Sequence, residues 1–501
     1  MTIEAASSLA PGTTVTAAVA IVGGGPAGIT VALDLAAAGV DVVVLESGER
    51  DPTEEGRELD RGEIVGTPFL FGSTSMTTSD TRIRALGGAS GHWAGLCRPL
   101  EEIDLRARPW LPGSGWPISR ADLDPWYAEA NDTLRLGTMG FDPAGWFQRT
   151  GAEQLILPGP LETIIVQGSP PVRFGSDAAT RLEAADGPRV LLGATAVDAT
   201  LDGRSDRLAG LTIVTSEGRT HDVVADTFVL AAGGYEVARL LLSWDGERGV
   251  ANSSDRVGRG FADHPHRSAG QVRVLLDSDA PPLYSWGDTP GDEPPTRVWG
   301  GWAPTAETQE AEGISSSALF LRFAGEAAVD EAIPGPLDDA VGPLLSWSTG
   351  DPRARIARVD VRSEQGFDPN SRITLGKERD ASGLRRVRID WRTSELDDRT
   401  GRRTVELFAA ELARAGRGRV QIEPGGRPYE DLPFEIGCHP MGTARMSDDP
   451  AAGVVDADLR THDVENLYVC SSAVFPTGGH ANPTMTIVAL AHRLAAHLGG
   501  T

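Results

Sequence analysis

The stretch AAVAIVGGGPAGITVALDLAAAGVDVVVLESG, residues 17–48, constrains the fold of this chain more than any other. An apolar run reaches a glycine turn, continues at helical spacing, and is followed by a second β-branched run closing on Glu46. This predicts strand, turn, helix and strand, the first unit of a doubly wound parallel sheet. Gly23, Gly25 and Gly28 form GxGxxG immediately after the first strand. Glycines there let the backbone approach a pyrophosphate at the helix N-terminus, and an acid ending the second strand takes ribose hydroxyls. Glu46 in that place, rather than Arg, argues against a 2′-phosphate. On these residues alone FAD and NAD stay open.

The C-terminal end carries the second strong signal, in GCHPMGTARM and GGHANPTMTIVALAHRLAAHL. Asn482 suits an N-cap and Pro483 the first helical position. Ile487, Val488, Leu490, Ala491, Leu494 and Leu498 keep helical spacing up to Gly499. A helix N-terminus carries roughly half a positive charge, so this one favours an electron-rich ligand.

At 501 residues the chain is too long for one core and suits two domains. Its formal charge of −25 disfavours nucleic acid and anionic membrane surfaces and leaves a small molecule as the expected partner. Cys97, Cys438 and Cys470 offer no disulfide framework, no metal pair and no haem site, so redox chemistry has to come from a bound cofactor. No secretion signal and no spanning apolar run is evident, which makes the cytoplasm the expected compartment.

Residues up to about Thr16 read as a mobile tail. From Arg50 to Arg84 the chain is polar and broken by glycine and proline, hence a long loop able to cover a ligand. In ALGGASGHWAGL the paired Gly87 and Gly88 suggest backbone pressed against a flat ligand, with His92 and Trp93 just beyond; a core histidine and plain packing explain them equally well. A short helix is expected after Ser119, closed by a capping box with Asp122. ATAVDATLDG and LAGLTIVTSEG read as hairpin strands, and TFVLAAGGYEVARLLL as strand, turn and helix with a second backbone approach at Ala231 to Gly234. His264 and His266 in FADHPH lack the further ligands a metal site needs, so a structural role is expected and no metal. Residues 267–430 alternate strand-like segments with loops, the signature of an antiparallel sheet. Within them the proline-rich 280–296 reads as a flap or oligomer arm, and Ser394 caps an amphipathic helix. A homo-oligomer is left open.

GGGPAG with its distal Glu, GGASGHW, VGRGFADHPH, SEQGFDPNSRITL, GCHPMGTARM, GVVDADL and NLYVCSSAVFPTGGHANPT occur in the order seen in the glucose-methanol-choline (GMC) oxidoreductases. The chain resembles that family over nearly its whole length, and within it the bacterial branch of sugar dehydrogenases, pyranose oxidases and C-glycoside 3-oxidases. The resemblance implies an α/β, Rossmann-like FAD-binding domain plus an α+β substrate domain with an antiparallel sheet. The expected division assigns 17–110, 186–266 and 431–501 to the first and 111–185 and 267–430 to the second. It implies FAD, with Gly23, Gly25, Gly28, Glu46, Gly88, His92, Val197 (beside the adenine), Ala232, Ser472, Asn482 and Thr484 around it. His439 and Asn482 become the catalytic pair, with Gln365 and His480 as weaker substrate contacts. Two positions depart from the family pattern. Ala94 stands where covalently flavinylated pyranose oxidases have Thr, so FAD is expected to be non-covalent, and Ser471 stands where many members have Asp.

Hydride loss from a carbinol carbon needs the hydroxyl proton removed, and a neutral imidazole such as His439 is suited to take it. The expected reaction is oxidation of a sugar or glycoside secondary alcohol, at C2 or C3, by hydride transfer to flavin N5, with O2 or another acceptor reoxidising the flavin. A dehydrogenase of a non-sugar alcohol or polyol using a quinone or protein acceptor is the alternative. An NAD-linked or monooxygenase enzyme sharing only the nucleotide fold, and a flavin-binding subunit without chemistry, are the other classes considered.

Overall fold

The computed structural model describes residues 3–72, 74–156, 158–276, 283–288, 296–323, 353–422 and 429–500. Its first sheet has eight strands. Ile3–Ala5, Arg189–Leu192, Val42–Glu46, Thr14–Val22, Thr220–Leu230 and Leu467–Val469 run parallel, and Leu208–Thr215 and Ala194–Leu201 continue the order as an antiparallel extension. Every residue of Val42–Glu46 is buried, as expected for a parallel strand covered on both faces. The helix Pro26–Ala37 begins with proline in its first turn and packs against the terminal helix Thr484–Gly499, which also packs against Arg120–Thr133.

The glycine turn is dictated by contact distances. Val22 and Leu230 are register partners, so the turns following them lie side by side at the carboxyl ends of two parallel strands, where α/β sheets bind ligands. Gly23 has φ +108°, and a Cβ there would stand 2.7 Å from the Ala231 carbonyl oxygen. A Cβ on Gly28 would stand 1.9 Å from the Gly23 carbonyl oxygen. Gly25 has open space where its Cβ would go.

The second sheet is antiparallel, in the order Gly418–Gln421, Pro265–Leu275, Ala354–Ser363, Ser317–Phe323, Arg297–Pro304, Leu161–Gly168 and Leu96–Cys97. Alternation gives it two different faces. Val359 and Val361 pack with Val405, Phe408 and Leu412 of the helix Glu395–Arg414, while Arg358, Asp360 and Arg362 face a large cavity. The expected capping box forms at Ser119 with Asp122, and the expected cap Ser394 forms one with Asp397. The hairpin Ala194–Leu201 with Leu208–Thr215 and the helix Gly233–Ser243 also lie where the sequence places them.

Several expectations are corrected. The N-terminal residues are no mobile tail: Ile3–Ala5 adds a parallel strand to Arg189–Leu192, because Ile3, Ala6 and Leu9 are buried in the main core. The loop 50–84 contains a Thr53-capped helix, Glu54–Leu59, and short strands. The terminal helix starts at Thr484 with Pro483 at its N-cap, and ends on Gly500 with φ +74°. Asn482 does not cap it. The division of the chain also differs: Leu96–Cys97 is an edge strand of the second sheet, whereas Leu123, Tyr127, Ile373 and Trp391 join the core of the first. Of the stretch 280–296, residues 283–288 and 296 are described, and Gly287–Asp288 pairs with Arg297 and Val298; the rest lies outside the described residues.

The glycine geometry separates two variants. Gly28→Ala is expected to destabilise the protein by at least about 1–3 kcal/mol through overpacking. Gly25→Ala is expected to leave the melting temperature of flavin-free protein unchanged while weakening FAD binding. Thermal denaturation and FAD titration of both variants check this, and equal melting losses would contradict it.

Candidate active site

One cavity of ≈ 620 Å³ runs from the glycine turn to the second sheet, within the range of small-molecule sites. At the nucleotide end Gly23, Gly25 and Glu46 line it. The Glu46 carboxylate is buried and accepts the Gly24 and Gly48 N–H groups, both at 2.7 Å. Burial raises its pKa, against the pull of those two donors and of Arg84. Gly28 stays off the wall and serves the packing of turn on helix. Ala194, Thr195 and Ala196 line the cavity, whereas Val197 does not. A β-bulge between Ala196 and Asp198 interrupts the alternation, and Val197 packs against the core instead.

In the middle, Gly87 donates its N–H to the Gly24 carbonyl at 2.7 Å, and a Cβ on Gly88 would lie 3.2 Å from the Gly25 Cα. The two glycine turns are clipped together. Gly88, His92, Trp93, Ala94, Ala232, Ser472 and Thr484 follow along the wall. Trp93 is tied by its indole N–H to the Val172 carbonyl at 2.9 Å, and the Ser472 hydroxyl donates to the Pro440 carbonyl at 2.7 Å. A dinucleotide with a flat ring system fits this cradle: Gly25 leaves free the space a methyl would fill, and Pro26 starts a helix whose N-terminus faces the cavity.

At the far end His439 and Asn482 meet. Asn482 Nδ2 lies 3.0 Å from His439 Nε2, and Arg362 Nη1 donates to Asn482 Oδ1 at 3.4 Å. This use of the amide explains why Asn482 leaves the helix uncapped. His439 Nδ1 lies 2.9 Å from His264 Nδ1, and His264 Nε2 lies 2.9 Å from the Gly479 carbonyl oxygen. Asp263 holds the loop: its carboxylate accepts N–H groups from His439, Gly437 and His264 at 2.8, 2.8 and 2.7 Å. Burial holds His439 well below the usual imidazole range, aided by His264 and Arg362, so the ring is neutral at pH 7. Burial likewise brings His264 down to about 4.

Two expected substrate contacts lie elsewhere. Gln365 is off the cavity wall: its carbonyl accepts from Asp263 N at 3.0 Å and Trp391 Nε1 at 2.8 Å, and its amide donates to the Arg392 carbonyl at 2.6 Å. It braces Asp263. His480 is buried behind the wall, and neither ring nitrogen has a hydrogen-bond partner among the described residues. The helix-opening turn carries Asn482 into the cavity and turns His480 away from it. Asp263, Arg362 and the Arg358–Asp360 pair were not singled out from the sequence. In the sequence FADHPH reads as a structural segment within a family motif, and among the described residues no cluster of three His, Cys, Asp or Glu could hold a metal ion.

The chain is similar to known proteins over most of its length. A GMC oxidoreductase family model matches residues 368–491, and an FAD binding domain model matches residues 16–63. The fructose dehydrogenase large subunit of Gluconobacter japonicus is 27% identical over 468 residues, covering 82% of this chain and 80% of that one. The 2-methyl-1,2-propanediol dehydrogenase of Mycolicibacterium austroafricanum is 27% identical over 95% of this chain and 94% of its own. A formate oxidase structure from Aspergillus oryzae RIB40 superposes with a TM-score of 0.61 at 16% identity, over 98% of this chain and 99% of that one. The chain carries a GMC oxidoreductase C-terminal domain and an FAD binding domain. It is an FAD-dependent enzyme that oxidises alcohols.

Asp263→Leu leaves three N–H donors unmatched, one buried and two part-buried. At about 1–3 kcal/mol per orphaned donor, urea denaturation of the holoenzyme is expected to show a loss of several kcal/mol, with a smaller loss for Asp263→Asn. A Leu variant as stable as wild type would show that the carboxylate does not hold the loop.

Proposed function

We propose that the protein oxidises a secondary alcohol of a sugar or glycoside, at C2 or C3, to the keto sugar, passing electrons to O2 or another acceptor. The observation that carries this reading is the His439 Nε2 and Asn482 Nδ2 pair, 3.0 Å apart on the cavity wall. When bound, FAD supplies the hydride acceptor. An alcohol hydroxyl entering between the pair displaces their hydrogen bond, accepts from Asn482 Nδ2 and donates to His439 Nε2. His439 then takes the proton as the carbon loses hydride, and Asn482 keeps the oxygen oriented. Arg362, against Asn482 and stacked over Trp299 and Phe320, places a fixed positive charge near the oxygen as it becomes a carbonyl. A polar sheet face of His266, Ser268, Arg358 and Asp360 suits a ligand with many hydroxyls. The fructose dehydrogenase relative supports a sugar.

The propanediol dehydrogenase relative supports a second reading, oxidation of a non-sugar alcohol or polyol with a quinone or protein acceptor. Screening sugars, glycosides and diols with oxygen and with a dye acceptor separates the two. FAD is held non-covalently in this proposal, since Ala94 follows His92 and Trp93; acid precipitation is expected to leave the yellow colour in the supernatant, and a flavin-bearing His92 peptide would contradict it.

His439→Ala is expected to slow flavin reduction by ~10²–10⁴, about 3–5.5 kcal/mol, with FAD retained, and Asn482→Ala to slow it less. Anaerobic stopped flow measures both. Loss of reduction in His480→Ala with retention in His439→Ala would move the base to His480.

A further inference from the structure

We infer that His264 is a positioning residue that holds His439 as its Nδ1–H tautomer, so that Nε2 faces Asn482 unprotonated. The inference rests on His439 being the base, and it follows from counting protons along one hydrogen-bonded chain. The Gly479 carbonyl has no proton, so His264 Nε2, 2.9 Å away, donates to it. A neutral imidazole carries one N–H, so His264 Nδ1 is an acceptor. It lies 2.9 Å from His439 Nδ1, which must then donate. The single proton of His439 is thereby on Nδ1 and its Nε2 lone pair is exposed, 3.0 Å from Asn482 Nδ2.

Both ends of the chain are anchored independently. At one end Arg362 Nη1 takes Asn482 Oδ1, which turns the amide N–H₂ group towards His439. At the other, Gly479 is in the left-handed region (φ +54°), its N–H donates to Glu364 Oε1 at 3.2 Å, and a Cβ there would stand 2.4 Å from the Asp104 carboxylate. Only glycine directs that carbonyl at His264. The opposite tautomer of His439 would set two bare Nδ1 lone pairs against each other and two N–H groups against each other at Nε2. His264 is buried and His439 half-buried in the wall, and desolvation lowers both imidazoles and keeps them neutral, as the counting requires.

The test is direct. In FAD-loaded enzyme labelled with ¹⁵N-histidine, long-range ¹H–¹⁵N correlation is expected to show His439, assigned with His439→Asn, carrying its proton on Nδ1. A proton on Nε2 overturns the inference. His264→Phe, which has no acceptor, is expected to lower the limiting rate of flavin reduction about 10–100-fold with the apparent substrate Kd within about threefold, by analogy with the loss on removing a residue that orients a metal-bound histidine. His264→Asn, which keeps an acceptor at the same branch point, is expected to recover most of that loss. A Phe variant within about threefold of wild type, or one that loses only substrate affinity, contradicts the assignment. If the Phe variant fails to hold FAD, the tautomer spectrum of the wild type decides. Should His439→Ala still reduce flavin while the spectrum shows Nδ1–H, the base reading fails and the tautomer assignment stands.

Discussion

The proposed reactive end of this enzyme depends on one buried carboxylate. Asp263 accepts backbone N–H groups from His264, Gly437 and His439, joining the entry to the strand Pro265–Leu275 to a loop far along the chain. Burial pushes its carboxyl up to about 7, against the pull of the three donors. Gln365, itself held by the Trp391 indole N–H, accepts the Asp263 backbone N–H, so the residue that anchors the His439 loop is fixed in turn. Cys438, with φ +58°, sits between two of the anchored residues and shows how tightly the loop is turned.

The second constraint is the split personality of the antiparallel sheet. Along Ala354–Ser363 the odd-numbered valines meet a helix and the even-numbered Arg358, Asp360 and Arg362 meet the cavity. Arg322 and Arg358 stand directly opposite in register, where like charges repel, and Asp360 lies between them and accepts from both. A sheet that placed valines on both faces would be more easily stabilised. This one keeps charge beside the proposed reaction, in which charge moves on oxygen.

The nucleotide end was legible because its chemistry is local. GxGxxG, its flanking strands and Glu46 lie within one continuous stretch, and contact distances at Gly23 and Gly28 show why no other residue serves. Hydrophobic periods and cap residues located the hairpin Ala194–Leu201 with Leu208–Thr215 and the helices after Ser119 and Ser394 for the same reason. What escaped was long-range. Asn482 has an ideal N-cap composition, yet its amide is taken by His439 and Arg362, a competition invisible from neighbours in sequence. Gln365 and His480 sit in motifs that reach the site, but the backbone turns one towards Asp263 and the other behind the wall. Val197 was displaced by a single bulge, and Ile3 was recruited to a sheet whose partner strand begins at Arg189.

The central claim is that one alcohol hydroxyl sits between His439 Nε2 and Asn482 Nδ2. A crystal structure of the FAD-loaded enzyme with a non-reacting substrate analogue tests it most directly. The account predicts the analogue's oxygen within hydrogen-bonding distance of both atoms, about 2.6–3.2 Å. An analogue bound in the cavity with no oxygen near either atom, its polar groups turned instead to His266 and Arg358, would contradict it.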